Sequence, residues 1–328
     1  GGGITDKTKN IISLPRDVKE AVSNCRQATQ QALQNRLSRM DIEFPVGTKF
    51  GVEKTTASSK KSGGGKRKLS AAMDADDDSL GDGGPTRAML DQSDRELARL
   101  FVEMFQPVGG ENIVVAFVDD SLADAAKAKW KNDAGASCRI MAMNRRGKSK
   151  ADKKKKKATK AKGFAAKLAA EVEGNDNDDP SSGGPFQLPP KTEVALFVAP
   201  GPKELVVIEK ICNEVGMGTL VVLLNARLDK VKNFGTDSAT KLFTEDFEPV
   251  FCLSAAPQEE APSCLMYRAF PGDWVLARKP KVGQPKTILS QGTKPTREEC
   301  KEAYDALEVG DLEKNVEDFV DNVAGWFR

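Results

Sequence analysis

Polar residues that could bind or transform a ligand follow two apolar runs of the sequence. Asp119 and Asp120 come directly after one such run, and Asn225 and Arg227 follow another. If the runs are parallel strands, their carboxyl ends meet at one edge of the sheet, which is where open α/β sheets bind ligands. Two carboxylates, an amide and a guanidinium would then hold a polar ligand or a partner loop. The structural alternative is that Arg227 pairs with an aspartate and that Asn225 caps the loop backbone.

The composition excludes several classes of reaction. The 328 residues include no histidine, which rules out Ser-His-Asp and Cys-His catalysis and HExxH zinc sites. The six cysteines stand more than ten residues apart, so the sequence contains no CxxC pair. The glycine-rich stretch at 63–68 lacks the Ser or Thr that a phosphate-binding P-loop needs after its lysine. We therefore identify no catalytic residue, metal site or cofactor, and a non-enzymatic role is preferred over an enzymatic one.

An aromatic stretch near the end of the chain offers a second kind of candidate site. Tyr267, Arg268 and Trp274 stand close together, around a Pro-Gly turn. Because Tyr, Trp and Arg are enriched in binding hot spots, they could form an interaction surface. The alternative is a hairpin that packs into the core with one cation–π contact.

Charge is unevenly distributed along the chain. The 50 basic and 48 acidic residues give a net charge of +2, but residues 145–167 hold twelve Lys or Arg and one acid, which leaves −9 on the remainder. A basic arm could bind an anionic membrane surface or a nucleic acid. Phe164 is the one aromatic residue of this arm, so the arm offers few side chains on which nucleic-acid bases could stack. The alternative is a solvated insertion without a partner. Its central lysines are Lys153, Lys154, Lys155, Lys156 and Lys157.

Most of the remaining sequence alternates between strand and helix patterns. Continuous apolar runs at 113–118, 194–198 and 220–224 are typical of strands buried on both faces. Residues 39–44 alternate polar and apolar, as a half-buried strand does, and shorter strands at 249–253, 264–270 and 274–278 indicate an antiparallel meander. Helical spacing of apolar residues predicts helices after Pro15, after a capping box at 93–96, and at 121–131, 204–215, 296–307 and 312–326.

These patterns predict an α/β fold with a mainly parallel sheet, helices on both faces and an extension of antiparallel strands. We expect one domain over 11–328 behind a flexible N-terminus at 1–10. Two charged, low-complexity stretches, at 56–88 and 144–190, are predicted to be disordered insertions. No apolar run is long enough to span a membrane.

Several segments, taken together in their order and spacing, carry a resemblance to a known family. They are Leu14-Pro15 with Glu20-Ala21-Val22 and residues 28–33, the strand and proline at 41–45, residues 94–101, Val222-Leu223-Leu224-Asn225-Ala226-Arg227-Leu228, and Arg268-Ala269-Phe270-Pro271 before Trp274. This set resembles the uncharacterised domain of plastids and cyanobacteria that includes the Low Photosystem II Accumulation proteins. A related domain is appended to a plastid adenylate kinase.

The resemblance implies a chloroplast protein, in the stroma or on the stromal face of the thylakoid. Its expected role is to assist assembly or maintenance of a photosynthetic membrane complex, with that complex or its assembly intermediates as the partner. The basic arm would bind the anionic thylakoid lipid surface. Two alternatives stay open: a small-molecule or nucleotide-binding α/β enzyme that uses the strand-edge residues, and a plastid nucleic-acid-binding protein that uses the lysine-rich arm. The resemblance assigns no catalytic residue to this chain. Ala226 departs from the proline usual in the family, and the two charged insertions are not part of its common core.

Overall fold

The structure is a computed structural model that describes residues 12–53, 85–145, 185–280 and 283–307. In chain order, its strands are β1 (Arg39–Glu43), β2 (Ile113–Asp119), β3 (Arg139–Asn144), β4 (Val194–Val198), β5 (Leu220–Leu224), β6 (Glu248–Ala255), β7 (Cys264–Ala269), β8 (Trp274–Arg278) and β9 (Lys286–Gln291). They form one nine-stranded sheet in the order β3-β2-β4-β5-β1-β6-β7-β8-β9.

The sheet divides into a parallel part and an antiparallel part. The strands from β3 to β6 in the sheet order all run parallel to their neighbours. From β6 onward each strand pairs antiparallel with the next. The sheet therefore confirms the predicted α/β class with an antiparallel extension, and it places β1 at its centre.

Helices cover both faces of the sheet, as predicted. The helices are α1 (Val18–Gln34), α2 (Arg87–Phe105), α3 (Asp120–Trp130), α4 (Pro202–Val215), α5 (Asp237–Lys241) and α6 (Arg297–Asp305). Apolar residues of α1, α2 and α3 share one core cluster, which we call the first face. Helices α4 and α5 pack on the opposite face, as does α6 farther along the sheet; we call this the second face.

Strand β5 shows how one sequence serves both faces. Val222 and Leu224 belong to the core of the first face, whereas Val221 and Leu223 belong to that of the second. A strand that packs against apolar cores on both sides has apolar residues at successive positions, because successive side chains point to opposite faces. This requirement explains why the buried strands of the parallel part were recognisable from continuous apolar runs.

The predicted capping box at residues 93–96 is wrong. Helix α2 begins two turns earlier, and its N-cap is Thr86, whose side chain accepts a hydrogen bond from the N–H of Met89. Glu96 lies within the helix and is buried; its carboxylate accepts hydrogen bonds from the backbone N–H groups of Phe50, Gly51 and Glu53. The glutamate therefore holds a neighbouring loop, and the helix extends into the segment that was predicted to be an insertion.

Some predictions from the sequence differ from the structure at the edge of the sheet. Others concern residues that lie outside the described part of the chain. Strand β9 was not predicted, since it is a half-exposed edge strand without a run of apolar residues. Helix α5 and the single turn at Leu242–Asp246 were also not predicted. The first insertion, except for 85–88, lies outside the described residues, as do 146–184 of the second, the N-terminus at 1–10 and the predicted helix at 312–326.

Candidate functional site

The first predicted pair of strand-edge residues acts at the start of a helix. Asp119 ends β2 and is the N-cap of α3, where its side chain accepts a hydrogen bond from the N–H of Leu122 at 3.0 Å. Asp120 is the first residue of the same helix. A carboxylate in this position satisfies a free N–H group and interacts favourably with the helix dipole.

The second pair lies farther along the same edge of the sheet. Asn225 follows β5, which is separated from β2 by β4, so the four predicted residues do not form one cluster. Asn225 is 4% exposed and has a left-handed backbone, with φ of 53°. Its Oδ1 accepts a hydrogen bond from the N–H of Phe44 at 2.9 Å, and its Nδ2 donates to Asp94 at 2.7 Å. The amide thus joins the end of β1 to helix α2.

Arg227 forms an ion pair, but with a glutamate instead of the aspartate that the structural alternative named. Its Nη1 lies 3.2 Å from Oε1 of Glu43, and both side chains are largely buried. Burial raises the pKa of Glu43, and the nearby guanidinium opposes that shift. The observed contacts of Asn225 and Arg227 are internal ones, of the kind that the structural alternative described, with Glu43 in place of an aspartate.

A cluster of charged side chains covers β1 on the second face, and most of its members are not among the candidate residues predicted from the sequence. Asp41 and Glu43 are two positions apart on β1 and project from the same side of the sheet. Lys294, from the loop before α6, forms an ion pair with Asp229 and lies 5.2 Å from the centre of the Trp274 ring. We call these four charged residues and Arg227 the β1 charge cluster.

Asp41 is the unusual member of the β1 charge cluster. Its Oδ1 is inaccessible to solvent and has no hydrogen-bond partner among the described residues. Burial, reinforced by repulsion from Glu43, raises the pKa of Asp41 to about 8. Asp41 is therefore mostly protonated at neutral pH, and the four remaining charges, two positive and two negative, then balance.

This arrangement has a defined chemical capacity. A protonated carboxyl group can donate a hydrogen bond or a proton, which an ionised one cannot. Carboxylates with raised pKa values beside a cation are also found at many functional sites. The β1 charge cluster is consequently the strongest candidate for chemistry on a small polar molecule.

The sequence contained a signal for the β1 charge cluster. Charged residues alternate with apolar ones from Arg39 to Phe44, a pattern that predicts a half-buried strand. Because β1 occupies the centre of the sheet, its polar side is covered by the loops that carry Asp229 and Lys294. Strand position decides whether such alternation means solvent or a buried polar cluster.

The predicted interaction surface lies largely inside the protein. Tyr267 and Trp274 are each 2% exposed. The Tyr267 hydroxyl accepts a hydrogen bond from Asn24, and Arg268 pairs with Glu248 at 2.6 Å while its guanidinium lies over the Trp274 ring. The alternative of a packed hairpin with a cation–π contact describes this region better, since aromatic rings in the core are not available to a partner.

The five lysines of the basic arm lie outside the described residues, so their role stays a prediction. Within the described part of the chain, no group of three or more Cys, Asp or Glu side chains could hold a metal ion. In the same ranges, no helix has the length and apolar character needed to cross a bilayer.

Comparison with known proteins gives one relationship. No curated protein and no solved structure is significantly similar to this chain. A family model described as a domain of unknown function, DUF1995, matches residues 15–302, which include all nine strands, the first five helices and most of α6. The chain therefore belongs to the DUF1995 family.

Proposed function

We propose that this DUF1995 protein is a non-enzymatic plastid factor that assists assembly or maintenance of a photosynthetic membrane complex. It would act in the stroma or on the stromal face of the thylakoid. The observation that carries the proposal is that the polar groups at the sheet edge serve internal contacts: Asp119 caps α3, Asn225 joins β1 to α2, and Arg227 pairs with Glu43. The family membership is in keeping with the resemblance that suggested this role.

The proposal is tested by co-purification from thylakoids. A tagged protein should sediment with photosynthetic complexes or their assembly intermediates when solubilised thylakoids are separated on a gradient. Deleting the gene should lower the amount of the assembled complex, and Arg227→Ala, if it folds, should restore it as well as the unaltered protein does. A protein found only free in the stroma, together with normal complexes after deletion, would contradict the proposal.

The basic arm provides a way to reach the membrane. Residues 145–162 carry eleven basic groups and one acid, whereas the rest of the chain is acidic. Near an anionic surface each basic group contributes on the order of 1 kcal/mol, and salt screens this attraction over about 8–10 Å. Such attachment would be peripheral and reversible.

We predict that the protein sediments with anionic vesicles at ~50 mM salt and is released by ~500 mM. Deletion of 145–162 should abolish sedimentation and leave the unfolding midpoint unchanged. A matched variant that keeps the length of the arm but replaces its Lys and Arg with Gln should behave like the deletion. Vesicle binding that ignores salt, or that survives the Gln replacement, would show that the arm is a solvated insertion.

A second candidate function is that of a small-molecule or nucleotide-binding enzyme. The observation in its favour is the buried, unpartnered Oδ1 of Asp41 beside Lys294 and Arg227. Thermal-shift screening of nucleotides and sugar phosphates tests it, because a ligand at 100 times its Kd adds about 2.7 kcal/mol to stability. A ligand bound in the β1 charge cluster should lose its effect in Asp41→Asn. If no compound raises the melting temperature, this second function fails.

A further inference from the structure

The first face of the sheet carries a groove between the first turns of α1, residues 49–50 and helix α2. Helix α1 packs mainly against β6 and β7, and α2 packs against β2, β4 and β5. A cavity of about 440 Å³ opens here. A smaller cavity lies between the same two helices, with Phe44 and Phe101 in its lining.

The walls of this groove are apolar. Val18 and Val22 come from one side of α1, and Leu100 comes from α2. Phe50 also lines the groove and packs edge-on against Phe44, with ring centres 5.1 Å apart. Four of these side chains are only partly buried: Val18, Val22, Leu100 and Phe50. They present an apolar surface that the described residues do not fill.

The charged groups around the groove are mainly cations. Lys19 and Lys49 are exposed at its rim, and neither has an acidic partner among the described residues. Arg26 lies one turn beyond Val22 on α1, and its Nε is buried without a hydrogen-bond partner in the described part of the structure. The one acid in the lining, Asp17, is already used, since it caps α1 by accepting from the N–H of Glu20.

We propose that this groove binds the acyl chain of a single-chain anionic amphiphile, a fatty acid carboxylate, with its head group at Lys19 and Lys49. The apolar walls match the chain, and the unpaired lysines match the sign of the head group. The cavity is of the size found for small-molecule sites, roughly 300–1,000 Å³. This inference does not rest on the proposed role in photosynthetic complexes.

Calorimetric titration with laurate, a twelve-carbon fatty acid, tests the proposal on the full-length protein. Dodecyltrimethylammonium, which has the same chain and a positive head group, is the matched ligand. We expect laurate to bind at least tenfold more tightly than the cationic ligand. No laurate binding, or equal binding of both ligands, would overturn the proposal.

Two variants separate the head-group contact from the chain contact. Lys19→Glu with Lys49→Glu should weaken laurate binding at least tenfold and should not weaken that of the cationic ligand. Val22→Trp, or Leu100→Trp if the first variant does not fold, should fill the groove and abolish binding of laurate. Replacing two exposed lysines of α3, Lys127 and Lys129, with Glu should change nothing. Laurate binding that persists in the charge-reversed or the groove-filled variant would overturn the proposal.

Discussion

Replacing Asp41 with asparagine is expected to flatten the pH dependence of the protein's stability between about pH 5 and pH 8. Burial raises the pKa of the native Asp41 carboxyl to about 8, whereas its ordinary value is 3.8. Between these values the folded protein holds a proton that the unfolded chain has released. The free energy of unfolding should therefore fall by up to about 1.4 kcal/mol for each pH unit on account of this one group.

The sign of this effect follows from where the proton is bound. The stabilising contribution of neutral Asp41 is complete below pH 4, where the carboxyl is also protonated in the unfolded chain. This contribution is lost progressively as the pH rises towards the native pKa of about 8. Above that pH, the carboxyl group no longer changes the stability with pH. Between pH 5 and pH 8 the stability difference between the variant and the unaltered protein should change by about 4 kcal/mol in favour of the variant.

The groups that face Asp41 come from three elements besides β1. Glu43, on the same strand, and Asp229 disfavour its ionised form, while Lys294 and Arg227 favour it, with burial the largest influence. Cys252 on β6 lies opposite Glu43 in the strand register. Burial also raises the pKa of Glu43 and that of Asp94, so these two carboxyls should leave a residual slope of the same sign in the Asp41→Asn variant.

Urea unfolding at several pH values measures the effect. Asp124→Asn is the matched control, because it makes the same chemical change on a side chain that is 72% exposed. The control should keep the slope of the unaltered protein. Identical slopes in the Asp41 variant and the unaltered protein would mean that Asp41 is ionised in the native state, and the β1 charge cluster would then carry an unbalanced negative charge.

The buried strands of the parallel sheet could be predicted because their side chains meet apolar surroundings on both faces. A short apolar run such as Leu220–Leu224 has few structural alternatives to a buried strand. Helical patterns between such runs imply that neighbouring strands are parallel. Strand β9 escaped prediction because an edge strand needs fewer apolar residues. The start of α2 was predicted wrongly because Ser93 and Glu96 have the spacing of a capping box, although both lie inside the helix.

The site was harder to predict than the fold because it depends on the order of strands in the sheet. Asp119 and Asn225 end strands that run parallel, which the sequence indicated, but β4 lies between those strands. Asp41 and Glu43 became a buried pair only because β1, the first strand in the chain, is inserted between β5 and β6. Local patterns do not contain that long-range pairing.

Replacing Asn225 with alanine is expected to destabilise the protein by about 3 kcal/mol. The change leaves the N–H of Phe44 and the carboxyl of Asp94 without their partner, and each buried group left unpaired costs about 1–3 kcal/mol. Alanine also tolerates the left-handed backbone at this position less well than asparagine does. Urea unfolding at neutral pH measures the loss. A stability within 0.5 kcal/mol of the unaltered protein, the usual range for surface substitutions, would mean that Asn225 is free to bind a ligand.

A double-mutant cycle with Asp94→Ala assigns this loss to the contact between the two side chains. If the amide of Asn225 and the carboxyl of Asp94 stabilise the fold through each other, the double variant should be more stable than the sum of the two single losses predicts, by 0.5 kcal/mol or more. Asn225→Asp keeps the acceptor for Phe44 but places a second carboxyl against Asp94. Its destabilisation should therefore shrink as the pH falls and one of the two carboxyls is protonated. Strict additivity in the cycle would contradict the assignment of Asn225 as the link between β1 and α2.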